Sequence, residues 1–181
     1  MASMRRRDAL QVLSSISSLT TKPIEEHTLP LLFLQLPDVA PKLSAEEDRL
    51  YIKQVLDSLS ILCTQPGLFE PLHIRLVNHF ETLCAPRSSE ADSMEIEEDV
   101  IQRECQVAYA FSLLHAIRNT LERKIKAKHR DVAKHFDQLV PRIFSLFARS
   151  SAESTDISTD VRLISEGAAI ITVMTQTLTI E

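Results

Sequence analysis

Glycine and tryptophan are almost missing from this chain: there are two glycines and no tryptophan in 181 residues. Sheets and tight hairpins draw on glycine for positive φ. Its scarcity therefore excludes an architecture of many short strands and leaves long helices joined by proline and polar turns. A glycine-rich dinucleotide loop is excluded for the same reason, and neither a P-loop nor a GxSxG motif occurs. Cysteine is sparse as well. Cys63, Cys84 and Cys105 are an odd number at intervals of 21 residues, which suits free thiols in a reducing compartment rather than a disulfide framework. No apolar stretch follows Met1–Arg7, and no run approaches the ~18 residues of a membrane span. A surplus of positive charge is also lacking. The net charge of −5 and pI of about 5.7 disfavour a general nucleic-acid binder, which carries a basic footprint. Hydrophobic content of 44% and charged content of 25% are those of a soluble globular protein.

Apolar periodicity places seven helices. The first runs from Arg6 to Leu19, with Ala9, Val12, Leu13, Ile16 and Leu19 on one stripe. The second starts at Pro23 and carries Leu29, Leu32, Phe33 and Leu36, with a kink expected at the internal Pro30. Ser44 and Glu47 read as a capping box opening the third helix. That helix continues to Cys63 through Ile52, Val55, Leu56, Leu59 and Leu62. The fourth, to Cys84, buries Phe69, Leu72, Leu76, Phe80 and Leu83. The fifth spans Val100–Lys126, facing Ile101, Cys105, Ala108, Phe111, Leu114, Ile117 and Leu121 inward. The sixth covers Arg130–Ala148. The last, Val161–Leu178, uses Ile164, Ala168, Ile171 and Leu178, although its Thr, Ile and Val content also suits a strand.

A proline-interrupted apolar pattern recurs along the chain. Leu29-Pro30-x-Leu32-Phe33 matches Val140-Pro141-x-Ile143-Phe144, with a weaker match at Pro71. Pro30 to Pro71 is 41 residues, inside the ~40–47 of HEAT-type repeats. Pro71 to Pro141 is 70, too long for one repeat unless an insertion intervenes. The fold class is therefore all-α: a HEAT-like α-solenoid, an armadillo-type superhelix of three helical hairpins plus one unpaired helix. Residues 1–84 form two hairpins, 85–99 an acidic loop insertion, 100–149 a third, longer hairpin, and 150–181 a linker and terminal helix. A solenoid offers surface rather than a pocket, so binding is expected rather than catalysis.

The run TTKPIEEHTLPLLFLQLPDVAP, Thr20–Pro41, followed by LCTQPGLFEPLHIRLVNHFETLC, Leu62–Cys84, resembles the HEAT-repeat scaffold of the cytosolic iron–sulfur assembly (CIA) targeting complex. That family was first described as a nucleotide-excision-repair and transcription factor. The likeness is strongest over Thr20–Cys84, continues more weakly through the helices to Phe147 and is faint beyond Ser150. It implies a non-enzymatic adaptor without a cofactor, found in nucleus and cytoplasm. Its implied partners are a WD40 propeller subunit, that subunit's small partner and iron–sulfur apoprotein clients of DNA repair, replication and transcription. Neither a membrane nor direct nucleic-acid contact is expected. Family members are several times longer, so the chain corresponds to a central or C-terminal segment. Two other readings stay open: a nucleic-acid-associated repair or transcription subunit, and a karyopherin-like carrier.

Candidate sites are few. Zinc and cluster sites need closely spaced thiolates, and cysteines 21 apart on apolar helix faces read as core. His73 and His79, like His129 and His135, are six apart and share no helix face, so solvated or capping histidines are expected. The basic run Arg123, Lys124, Lys126, Lys128 and Arg130 complements a helix C-terminus and is the candidate partner-docking patch. The segment Glu90–Asp99 holds six acids, and Ser89 with Asp92 three residues on is a candidate phosphosite.

Overall fold

The computed structural model describes residues 2–85, 96–150 and 157–178, with side chains from 8–85, 100–148 and 157–178. The described residues form helices and turns, with no strand among them. The chain is an all-α solenoid. Its helices are α1 (Ala2–Leu19), α2 (Leu29–Phe33), α3 (Glu46–Leu62), α4 (Phe69–Cys84), α5 (Ile96–Lys126), α6 (Phe136–Ser150) and α7 (Val161–Leu178).

Proline decides several boundaries. Pro30 has no N–H to continue an α-helical ladder, and the expected kink is realised as a change of helix type. A π-helical turn at Ile24–Thr28 closes with the Leu29 N–H on the Ile24 carbonyl, and α2 starts afresh with Pro30 in its first turn. Pro71 likewise sits in the first turn of α4, whereas Pro141 lies inside α6. The three prolines therefore do not mark equivalent positions. Leu29 is buried in one motif and Ile143 in the other, while Phe144 is 65% exposed.

The capping box does not form. The N-cap is Ala45, no side chain caps the end, and Glu46, Glu47 and Asp48 in the first turn meet the positive end of the dipole instead. The sixth helix starts later than its periodicity predicts, because Arg130–His135 is a 3-10 turn. The fifth starts earlier, at Ile96, inside the expected acidic insertion.

The core forms around α5. Its backbone lies closest to α7, then to α4 and α3, so α3 and α4 pack mainly on α5 rather than on each other. The helix unpaired in chain order is thus well packed in space, with α7 lying along α5 and α6. The expected stripes of α3 and α4 are buried throughout. α5 is covered on several sides: besides Cys105, Leu114, Ile117 and Leu121 it buries Val107, Tyr109, Leu113 and Thr120. Its expected inward Ile101 is 58% exposed.

Two stripes are rotated from expectation. In α1, Val12, Ile16 and Leu19 are exposed, Leu13 packs on the core and Ser17 is buried, its hydroxyl donating to the Ser14 carbonyl. In α7 the buried residues are Leu163, Glu166, Gly167, Ile170 and Met174, not the Ile164, Ala168 and Leu178 stripe. A carboxylate on the inward face hides that stripe from periodicity. Glu166 is tolerated there because α5 supplies His115 at 2.9 Å and Arg118 at 3.1 Å.

Gly167 sets how closely α7 approaches α6. A Cβ built there would lie 2.2 Å from Cε2 of Phe147, whose ring meets Phe80 at 6.1 Å. Gly167→Ala is expected to displace that ring and destabilise the fold by about 1–3 kcal/mol, read from the urea midpoint. Combining it with Phe147→Leu should recover part of the loss. An additive pair would show that the two residues do not conflict.

Candidate docking surface

The basic run begins in the last turn of α5, where Arg123, Lys124 and Lys126 oppose the negative end of the helix dipole. The helix then stops in a Schellman motif. The Lys128 N–H donates to the Ile125 carbonyl at 2.9 Å and the His129 N–H to the Lys124 carbonyl at 3.0 Å. Lys128 takes the left-handed position, with φ of 57°, where glycine is usual and any other residue costs about 1–2 kcal/mol.

This reversal separates the five cations, and one of them leaves the surface. Lys124 is fully buried. Its Nζ donates to the Thr64 carbonyl at 3.0 Å and reaches the Gln65 carbonyl at 3.4 Å. It also pairs with Asp131 at 2.8 Å and lies 5.9 Å from the centre of the Phe69 ring. Sequence spacing placed Lys124 in the docking patch. The structure makes it an internal tie between α5, the α3–α4 turn and the 3-10 turn before α6.

The other four cations are exposed. Arg123 and Lys126 line a groove of about 440 Å³ shared with Ser14, Ile61 and Thr64. Lys128 and Arg130 line an open cleft of about 680 Å³ on a different side, with His129, Ile125, Val132 and Thr177. Among the described residues these four side chains have no carboxylate partner, unlike Arg118, Arg142 and Arg162.

The histidines differ most from expectation. His73 and His135 are buried, not solvated, and their rings sit 5.4 Å apart with Phe69 against both. Helical spacing separates His73 from His79, but the 3-10 turn brings His135 over from 62 residues further along the chain. Burial pushes His73 down to about 4, helped by the charges of His135 and Arg142. Burial also lowers His135 and His79. The ring of His79 packs edge-on against Tyr109, whose hydroxyl donates to the Pro37 carbonyl at 2.9 Å.

All three cysteines are free and buried, and burial drives the Cys63 thiol strongly upward, so it keeps its proton. Among the described residues no group of three or more His, Cys, Asp or Glu is placed to hold a metal ion, and no helix is long and apolar enough to cross a membrane. Ser89 and residues 90–95 lie outside the described residues.

Sequence reasoning missed the ion pairs that join distant helices. Glu166 meets His115 and Arg118, Arg142 of α6 meets Glu81 of α4, and Arg162 grips Glu104 through two bonds of 2.6 and 2.7 Å. Only the i, i+3 spacing of His115 and Arg118 was visible beforehand, and nothing local pointed to their partner 48 residues beyond Arg118. No curated protein and no solved structure matches the chain. Residues 55–181 match a known family over α4, α5, α6, α7 and the C-terminal part of α3. The chain belongs to the RNAPII transcription regulator C-terminal family, in agreement with the resemblance carried by its helices.

Proposed function

We propose that this chain is a non-enzymatic scaffold segment in cytosolic iron–sulfur protein assembly. On this reading it docks the WD40 propeller subunit and its small partner, and presents apoproteins of DNA repair, replication and transcription. Membership of the family over residues 55–181 carries the reading. The solenoid of stacked helices supports it, because such a fold supplies extended surface on which a few buried anchors dominate affinity. The exposed Arg123, Lys126, Lys128 and Arg130 are the proposed docking positions, and nucleus and cytoplasm the proposed locations. The family's character as an RNA polymerase II transcription regulator favours a second reading, a subunit acting directly on that transcription.

Affinity purification of the tagged chain from cell extract, with bound proteins identified by mass spectrometry, separates the two. The adaptor reading expects assembly subunits and iron–sulfur apoproteins. Recovery of polymerase subunits without them, from a chain shown to be folded, would replace it with the second.

A further inference from the structure

We propose that the cleft at the C-terminal end of α5 binds an acidic peptide segment of a partner protein, anchored by one apolar side chain. The inference rests on the docking reading above and names the chemistry of what docks. Lys128, His129 and Arg130 line the cleft, and the half-buried Ile125 and Ala133 with the edge of the buried Val132 supply its apolar wall. An apolar wall with unpaired cations beside it matches an apolar anchor followed or preceded by carboxylates.

Several cations elsewhere in the fold are already committed to carboxylates. Arg118, Arg142 and Arg162 each reach a carboxylate, and so does the buried Lys124. Lys128 and Arg130 reach none among the described residues. The C-terminal end of α5 carries the negative pole of its dipole, so the affinity for an anion lies in the side chains. Lys128 also occupies the left-handed position of the Schellman motif. Lysine there sacrifices stability that glycine would return, and it keeps a cation in the lining of the cleft.

A peptide fits better than a nucleic acid. Nucleic-acid binding draws on several cations along a phosphate track. Here the chain reversal at the end of α5 divides the exposed cations between two grooves, and the chain is acidic as a whole. Two cations beside an apolar wall suffice for a short acidic segment.

The test uses the whole chain and a fluorescein-labelled peptide of glutamate and aspartate with one central leucine, at low salt. Binding by fluorescence anisotropy should weaken as salt rises and should fall when the leucine becomes serine. Lys128→Gly with Arg130→Ala should weaken it about tenfold or more, while the melting temperature holds or rises because the helix end is relieved. Arg123→Ala with Lys126→Ala, on the other groove, should leave it unchanged. The proposal is overturned if the wild-type chain fails to bind, if the second pair abolishes binding and the first does not, or if oligothymidylate of equal charge binds more tightly. Assembly subunits recovered by a chain that fails to bind the peptide would overturn the cleft assignment alone. Peptide binding without those subunits would instead reject the assembly reading.

Discussion

Replacing Lys124 by alanine should cost this fold about 3–5 kcal/mol, the usual loss when one partner of a buried ion pair is removed. The side chain is fully buried. Its ammonium satisfies the Thr64 carbonyl at 3.0 Å and neutralises Asp131 at 2.8 Å. Truncation leaves a mostly buried carboxylate unpaired, a carbonyl without its donor and a cavity beside Phe69. Domains hold only about 5–15 kcal/mol in total, so the variant should unfold at markedly lower urea. Arg123→Ala, one residue away and exposed, should shift stability by less than about 0.5 kcal/mol. Asp131→Asn supplies the remaining corner of the cycle: the double variant should lose less than the sum of the singles. Equal, small losses at positions 123 and 124 would refute an internal role for Lys124.

Mild acid should destabilise the protein through its buried histidines. His73 is held near 4 in the fold, whereas an unfolded histidine titrates near 6.5. The unfolded chain therefore binds the proton first. The contribution is fully present above about pH 6.5 and is lost as pH falls towards 4, with a total on the order of 3 kcal/mol. His135 and His79 are lowered as well and act in the same direction. The groups facing His73 give no relief, since both His135 and Arg142 disfavour its charge. Glu104 and Asp160 are held below their usual values by Arg162, so their contribution is lost only at still lower pH. Urea melts between pH 7.5 and pH 4.5 should show a steady fall, and His73→Leu should flatten much of it. An unchanged slope in that variant would place the acid sensitivity elsewhere.

Periodicity read α3 and α4 correctly because each has one apolar stripe facing one neighbour. Every expected core position in them is buried. It failed on α1 and α7 for different reasons. In α1 a serine faces inward and satisfies its hydroxyl on its own helix, while the apolar Val12, Ile16 and Leu19 stay exposed. In α7 the inward stripe contains Glu166, which any hydrophobic pattern rejects. The candidate patch was legible as composition but not as geometry. Five cations within eight residues are visible in the sequence. That the second of them, Lys124, is swallowed by the core, with the others divided between two grooves, depends on the α3–α4 turn and on Asp131.

The sequence by itself determined the helical class, the approximate helix boundaries and the family, because these follow from local period, turn chemistry and residue pattern. Tertiary structure alone decided which charges are internal and which are free. Lys124 is buried and Lys128 exposed although they are four residues apart. The physical reason is that burial of a charge is tolerated only where partners from other elements satisfy it. Here those partners lie about sixty residues upstream at Thr64 and seven downstream at Asp131.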